Sequence, residues 1–249
     1  MRRGWLKTLL GVCLALVAEA GLAQGWEYCL RLGYALGGEA PVGLPAEIRS
    51  LSKYSLQANF GIGADVWHGV GSGGWGVTAG LHVENRGMNV DARVKNYHMA
   101  MVQGGESLEG MFTGQVVTCC DRWMVTVPLQ ATFDLSKRVR LRLGPTLSYV
   151  FSQTFDGEAY GGYIRVGSPT GVKVEIGSDG DTRGSYDFSD DLRRWQVAID
   201  GGVDWMIGEH WGAYGEISWG LNGVFKSEFN TIEQTLYPIY GVIGCVYKI

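Results

Sequence analysis

The sequence predicts an all-β fold, an eight-stranded antiparallel transmembrane β-barrel with up-and-down connectivity. Three observations predict it. Segments of roughly ten to thirteen residues alternate strictly between apolar and polar side chains, short connections alternate with long ones, and aromatic residues collect at segment ends. A soluble barrel would bury its apolar face in a single core. Here the apolar stripe recurs in too many segments for one core, so we expect it to face lipid.

The segment Val139–Phe151 shows the alternation clearly. Its predicted outward face consists of Val139, Leu141, Leu143, Pro145, Leu147, Tyr149 and Phe151. Its predicted inward face consists of Arg140, Arg142, Gly144, Thr146, Ser148 and Val150. Because successive side chains point to opposite faces of a strand, parity fixes the direction of every residue in a segment.

Eight segments of this kind are long enough to cross the bilayer as tilted strands. They are Tyr28–Leu36, Ser55–Trp67, Trp75–Met88, Trp123–Phe133, Val139–Phe151, Trp195–Trp205, Trp211–Leu221 and Ile239–Ile249. The short connections belong in the periplasm together with both termini, and they are His68–Gly74, Asp134–Arg138 and Met206–His210. The long connections belong at the cell surface, and they are 37–54, 89–122, 152–194 and 222–238.

Two further alternating stretches, Tyr160–Val166 and Val172–Ile176, open a ten-stranded alternative. Each is too short to span the membrane. We therefore predict that they form a hairpin that projects beyond the bilayer.

The N-terminus predicts a secretory signal peptide over residues 1–23, followed by one barrel domain over residues 24–249. The signal combines basic residues near the start, the apolar run Leu9–Ala18, and small residues before a cleavage point near Ala23. An exported barrel implies the outer-membrane insertion machinery and outer-membrane lipid as partners.

The composition excludes several other classes. The net charge is −4 without runs of like charge, so no nucleic-acid partner is expected. The cysteines and histidines match no metal-ligand spacing, and no nucleophile elbow or phosphate loop is present, so we expect no metal, no cofactor and no catalytic residue. A mean hydropathy of +0.01 with 39 glycines and 12% aromatic residues is typical of a barrel.

Aromatic residues at the strand ends predict two girdles at the bilayer interfaces. The group beside the short turns is Trp67, Trp75, Phe133, Trp205 and Trp211. The group towards the long connections includes Trp123, Trp195 and Trp219.

Charged residues of inward parity predict a charge network that fills the lumen, since an eight-stranded barrel leaves room only for side chains. They are His82, Glu84, Arg140, Arg142, Asp200, Asp204 and Glu216. We hypothesise that Arg140 or Arg142 joins Asp200 or Asp204. The alternative is that Asp200 and Glu216 act as a general acid and base.

The layout and several motifs resemble the PorT-like outer-membrane β-barrel proteins of Bacteroidota, often labelled porin family proteins. The motifs are Pro41–Arg49, Val127-Pro128-Leu129, Gly144-Pro145 and Tyr186-Asp187-Phe188. The resemblance implies an outer-membrane address and an eight-stranded barrel. It supplies neither a pore nor catalytic residues.

The sequence therefore predicts a non-enzymatic outer-membrane protein with a structural, binding or envelope-assembly role. An envelope protein or a surface ligand would meet it at residues 89–122 and 152–194. A small diffusion pore is the second hypothesis, and the strand count opposes it because open channels need about 16 strands. A lipid-modifying enzyme is the third, and the inward parity of His82 opposes it because such enzymes place their triad against lipid.

Overall fold

The computed structural model describes residues 25–42, 47–55, 57–232 and 234–249, so the predicted signal peptide lies outside it. The strands in these ranges are β1 (Trp26–Pro41), β2 (Ile48–Ser55), β3 (Phe60–Val70), β4 (Trp75–Gln103), β5 (Glu106–Asp134), β6 (Val139–Val166), β7 (Lys173–Ile176), β8 (Gly184–Asp187), β9 (Trp195–Met206), β10 (Trp211–Gly220) and β11 (Leu236–Lys248). Short 3-10 helices occupy Gly180–Thr182 and Ser189–Asp191. No helix in the described ranges has the length and apolar character of a membrane span.

Eight of the strands close into a ring. The order β4-β3-β1-β11-β10-β9-β6-β5 returns to β4 through the β4–β5 pairing, and every pairing is antiparallel. Sequence neighbours are ring neighbours, and β11 pairs with β1 to complete the circle. The predicted eight-stranded barrel is confirmed, and the ten-stranded alternative is wrong.

The short connections lie where the alternation predicts them, at one end of the barrel. The β3–β4 turn contains Gly71 and Gly74, whose φ angles of 69° and 77° are in the left-handed region that favours glycine. The β5–β6 and β9–β10 turns follow Asp134 and Met206. Each of these turns is too short to cover the barrel, so this end is the periplasmic one.

We predicted that the segment 89–122 is a loop, and this prediction is wrong. The segment is the continuation of β4 and β5. The hairpin pairs from Trp75↔Phe133 to Gln103↔Glu106 with one register shift between Val94 and Tyr97, and Gly104 and Gly105 form a tight turn at its tip. The membrane span of a tilted strand needs only about 9–11 residues. These 29-residue strands therefore extend far beyond the outer interface.

The extensions of β4, β5 and β6 form an extracellular head together with three short strands. β2 pairs with β4, β7 pairs with β6, and β8 pairs with β6 and meets β4 at Val102↔Ser185. The β6–β7 pairing confirms the predicted projecting hairpin. The return of β8 to β4 closes the head around a core of its own.

The head core is apolar and lies directly above the lumen. Its buried members are Met88, Val94, Met99, Met101, Phe112, Val116, Cys120, Phe155, Ala159, Ile164, Ile176, Tyr186, Phe188, Leu192, Val224, Phe225 and Leu236. Because Val224 and Phe225 come from the β10–β11 connection and Leu236 begins β11, that connection folds inward and covers the mouth of the barrel.

Outward-parity residues in the spanning part of the barrel are exposed and apolar. They include Leu30, Leu32, Ile62, Leu81, Leu129, Leu143, Ile217 and Ile243. Aromatic side chains border this belt on the outside, and they are Trp75, Trp123, Trp195, Trp205, Trp211 and Trp219, with the half-buried Phe133 ring 4.9 Å from Trp75. The belt and its aromatic borders are the surface that a bilayer requires.

Candidate functional site

The periplasmic end of the lumen is closed by Arg140. Its guanidinium donates to Asp134 at 2.5 Å and to Glu27 at 2.9 Å, and Lys248 contacts the second oxygen of Glu27 at 2.7 Å. The same guanidinium lies 3.9 Å from the centre of the Trp67 ring. Arg140 thus pairs with residues at the barrel rim. The hypothesis that it pairs with Asp200 or Asp204 is wrong.

Trp67 lies inside the barrel, so its assignment to the periplasmic girdle is wrong. Its indole Nε1 donates to the Thr132 hydroxyl at 2.7 Å, and its ring carries the Arg140 guanidinium. The reason is parity, because the neighbouring Val66 faces lipid and Trp67 must then face the lumen. Proximity to a turn is not sufficient to place an aromatic residue in a girdle.

The centre of the lumen is organised around Asp204. Arg31 donates to both Asp204 carboxylate oxygens, at 2.9 and 2.7 Å, and Arg142 donates to one of them at 3.1 Å. Arg142 also contacts Glu216 at 3.0 Å and donates to Gln130 at 2.7 Å. The predicted Arg142–Asp204 pair is therefore formed, and it belongs to a network that joins five strands.

A second branch of the network crosses β3 and β4. Asp65 accepts from Arg31 and lies 2.7 Å from the His82 Nε2 atom. Glu84 contacts His82 Nδ1 at 3.6 Å and Arg86 at 3.0 Å. His82 and Glu84 thus meet as inward neighbours, held between two arginines.

Asp200 takes a different partner from the one we predicted. Its Oδ2 atom accepts a hydrogen bond from the Thr146 hydroxyl at 2.5 Å. Arg142, one of the two arginines that we proposed as its partner, pairs with Asp204 and Glu216 instead. Ser218, the cross-strand neighbour of Asp200, donates nothing to it and instead accepts from Arg86 at 3.0 Å. Asp200 and Glu216 consequently have different hydrogen-bond partners.

The top of the lumen holds a fully buried ion pair that the sequence analysis missed. Arg122 donates to Glu39 at 3.0 Å and to Gln196 at 3.1 Å, and the two charged side chains are 1% and 0% exposed. The sequence did indicate the position of Arg122, because Arg122 lies two residues before the inward-facing Met124 and therefore also faces inward. Glu39 could not be found in this way because it lies beyond the part of β1 predicted to span.

Among the described residues, buried side chains occupy much of the lumen. One small cavity of about 20 Å³ lies between β1, β3 and β4, beside Gly33, Gly61, Gly63 and His82. A single water molecule needs roughly 10–15 Å³ of such space. The cavity is thus large enough for about one water and too small for a solute.

An aromatic cluster in the head seals the mouth above the ion pairs. Phe225 contacts Phe155 and Phe229 with ring centres 5.0 and 4.4 Å apart, and Phe188 contacts Phe229 at 5.0 Å and Tyr186 at 5.2 Å. Rings at these separations attract one another beyond the area that they bury. The cluster ties the 152–194 region to the β10–β11 connection.

The polar surface of the head contains two neighbouring carboxyl groups, Asp156 and Asp187, whose pKa values are shifted in opposite directions. The Ser189 hydroxyl and amide donate to Asp187 at 2.5 and 2.9 Å, which lowers the pKa of the Asp187 carboxyl. Burial and the charge of Asp187, its cross-strand partner, raise the pKa of Asp156. Burial also raises the pKa of the Tyr186 phenol well above its usual range, so this hydroxyl stays protonated.

The sequence of residues 22–226 matches the family model described as the outer membrane protein beta-barrel domain. The chain belongs to this family. The match covers most of the barrel strands and places the protein in the outer membrane, which confirms the predicted location. The lipid-facing belt, the periplasmic turns and the extracellular head are the physical features that fit this address.

Several solved outer-membrane proteins are similar to the chain. The attachment invasion locus protein Ail of Yersinia pestis is 10% identical, with a TM-score of 0.39, over 91% of this chain and 100% of that one. Neisserial surface protein A is 9% identical, with a TM-score of 0.34, over 91% and 98%. OprG of Pseudomonas aeruginosa is 13% identical, with a TM-score of 0.34, over 90% and 96%. A comparison with curated protein sequences finds none that matches.

Proposed function

We propose that this protein is a non-enzymatic outer-membrane anchor whose closed barrel holds a packed extracellular head, and that the head binds an envelope protein or a surface ligand. The observation that carries the proposal is the continuity between the two parts. The polar network that fills the lumen ends under the apolar core of the head. The barrel is thus built as a support for the head.

The rigidity of the head supports a binding role. The β4–β5 hairpin is held by β2 and by β8, and the 152–194 region is fixed to it through the aromatic cluster. Recognition residues on a rigid scaffold lose little entropy when a partner binds. The partner would meet the regions 89–122 and 152–194 that the sequence indicated.

Two features argue against the second candidate, a diffusion pore. Ion pairs cross the lumen between strands that are not ring neighbours at three levels, through Arg140, Arg31 and Arg122. The aromatic cluster and Leu236 then cover the mouth. A solute would have to break buried ion pairs and displace an apolar core, and either step costs several kcal/mol.

The environment of the candidate acid–base residues argues against an enzyme. Asp200 and Glu216 lie in the filled lumen, each engaged by its own partners, and His82 is enclosed between Asp65 and Glu84. None of these groups faces the lipid-exposed outside of the barrel. The resemblance to PorT-like barrels fits a non-enzymatic role. We propose that the protein is a PorT-like barrel within the broader family.

Conductance measurements with pure protein in planar bilayers separate the anchor from the pore. We expect no steady conductance from the native protein, and none from Phe225→Ala, since the ion pairs remain when the cap is loosened. A stable conductance that a bulky lumen substitution, Gly202→Trp, abolishes would establish the pore instead.

Photo-crosslinking on intact cells tests the binding role. A photo-reactive residue replaces the exposed Val102 at the head, and a matched protein carries it at Lys137 in the periplasmic turn. We expect a discrete adduct from position 102 that position 137 does not give. If exposed positions across the head give no adduct, the protein has a structural role only.

A further inference from the structure

A larger cavity lies on the outside of the barrel wall, at its extracellular rim. This rim pocket has a volume of about 540 Å³ and is lined by Val42, Trp219, Leu221, Gln234, Thr235 and Tyr237. Small-molecule sites in proteins have volumes of about 300–1,000 Å³. The lumen cavity of about 20 Å³ holds about one water, so of these two cavities only the rim pocket has room for a ligand.

The rim pocket exists because the β10–β11 connection is drawn into the head. Val224 and Phe225 are buried in the head core, so the chain leaves the barrel wall soon after β10 ends at Gly220. It returns to the wall at Thr235, just before β11 begins. A Cβ atom at Gly223 would lie 2.5 Å from the Thr235 Cγ2 atom, so this glycine lets the two arms of the connection approach. The inward detour leaves the outer side of the rim uncovered.

Two aromatic rings line the rim pocket from neighbouring strands. Pro238 and Tyr240 are buried on the inner face of β11, so alternation turns Tyr237 outward. Trp219 is an exposed outward residue of β10, paired with Ile239 of β11. The Trp219 and Tyr237 rings therefore lie on the same outer face of the barrel. Such rings present flat apolar surfaces whose faces carry partial negative charge.

The polar side-chain groups of the rim pocket are uncharged and have no hydrogen-bond partner within the described part of the chain. They are the Trp219 indole N–H, the Gln234 amide, the Thr235 hydroxyl and the Tyr237 hydroxyl. Together they offer both hydrogen-bond donors and acceptors. The rim pocket thus combines flat aromatic faces with neutral polar groups that are available to a ligand.

We propose that the rim pocket binds a neutral sugar unit of an extracellular glycan. The C–H groups on one face of a pyranose ring pack on aromatic rings, whereas its hydroxyl groups need partners that both donate and accept. The rim pocket supplies the two kinds of contact side by side. An ionic ligand finds no opposite charge on the described residues that line it.

Contact with a lipid acyl chain is the alternative for any exposed aromatic residue near a bilayer interface. A chain in the rim pocket would remove water from the Gln234 amide and from two hydroxyl groups without replacing their hydrogen bonds, which is unfavourable. The lipid-facing belt itself is lined by aliphatic residues such as Ile217 and Ile243. The polar groups of the rim pocket therefore favour a sugar over a chain.

Saturation-transfer NMR of the full-length protein in a zwitterionic detergent without sugar headgroups tests the proposal. The probes are the neutral trisaccharides maltotriose, cellotriose and mannotriose. The test variant is Trp219→Ala. The matched control is Trp211→Ala, which removes an exposed tryptophan from the periplasmic border of the belt. Trp219→Phe keeps a ring in the pocket and separates loss of the site from loss of the fold.

We expect saturation transfer to the ring C–H protons of at least one trisaccharide with the native protein. Trp219→Ala should weaken the apparent Kd about 10-fold or more, because truncating an aromatic anchor removes much of the binding energy of a small site. Trp211→Ala should change it less than about 2-fold. Gln234→Leu keeps the side-chain volume and should weaken binding about 3- to 10-fold, because a sugar hydroxyl loses its partner. Trp219→Phe should stay within about 3-fold of the native affinity.

Absence of transfer to all three trisaccharides, or equal affinity of Trp219→Ala and Trp211→Ala, would overturn the proposal. The measurement is repeated in phosphatidylcholine nanodiscs, where lipid chains surround the barrel. Loss of the sugar signal there would assign the rim pocket to lipid and would also overturn the proposal, whereas retained binding supports a sugar site. The rim pocket lies outside the regions 89–122 and 152–194, so its failure leaves the proposed function standing.

Discussion

Arg142 provides the sharpest test of the filled lumen. The substitution Arg142→Met keeps much of the side-chain volume but removes the charge that contacts Asp204, Glu216 and Gln130. Asp204 retains its two bonds from Arg31, whereas Glu216 keeps only the amide of Gln130 at 3.3 Å. The variant therefore leaves one buried carboxylate without a cationic partner.

Breaking a buried ion pair by removing one partner costs about 3–5 kcal/mol. We expect Arg142→Met to lower the free energy of unfolding by this amount. The rim residue Arg140 is the matched control, because its partners Glu27 and Asp134 are partly exposed. Weak rim pairing together with the stacking on Trp67 predicts a loss of about 1–2 kcal/mol for Arg140→Met.

Urea unfolding of the protein in lipid vesicles, followed by tryptophan fluorescence and by heat-modifiable gel mobility, measures both losses. The double variant Arg142→Met with Glu216→Gln should recover part of the stability, because the uncompensated charge is gone. Equal losses at positions 142 and 140, or no recovery in the double variant, would refute a lumen held together by buried ion pairs.

Three other results are expected. Leu143→Arg, on the lipid-facing belt, should destabilise the barrel by about 2–4 kcal/mol in vesicle unfolding, and an effect below about 1 kcal/mol would place this side chain outside the bilayer core. Phe225→Ala should cost about 3–5 kcal/mol of local stability, seen as protease cleavage of the head with the barrel still folded, and contradicted by unchanged protease resistance. Burial, assisted by the Glu39 charge, raises the pKa of the Cys120 thiol, so Cys120 should resist iodoacetamide at pH 8.5. The pKa of the half-buried Cys119 is also raised by burial, so Cys119 should react, but slowly, at the same pH. Equal labelling of the two thiols, measured by mass spectrometry, would contradict the packing of the head core.

The barrel could be predicted from the sequence because lipid contact imposes one simple rule on every spanning strand. In Val139–Phe151 each odd residue must tolerate hydrocarbon and each even residue must fit the lumen, so the alternation is nearly perfect. The same rule, applied strictly, would have placed Trp67 inside. The error came from weighing its position beside a turn above its parity.

The head could not be predicted in the same way because its alternation changes phase. Met88, Val90 and Val94 face the head core on even positions, whereas Met99 and Met101 do so on odd positions. A register shift between Val94 and Tyr97, at the left-handed Asn96, causes the change. A pattern search that assumes constant parity interprets such a segment as a loop.

The individual partners in the lumen were also beyond the sequence. Inward parity identified Arg142, Asp204 and Glu216, but the stagger of the closed ring decides which of them meet. Arg31 reaches Asp65 on one neighbouring side of the ring and Asp204 across the lumen. Such long-range contacts depend on the tilt of all eight strands together.

Protease accessibility on intact cells tests the central claim most directly. One protein carries a cleavable tag at Pro169, in the tip between β6 and β7, and a second carries it at Lys137, in the β5–β6 turn. We expect cleavage at position 169 alone, with the protein in the outer-membrane fraction. Protection of both tags, with the protein released in the soluble periplasmic fraction, would contradict the membrane-spanning barrel and its orientation.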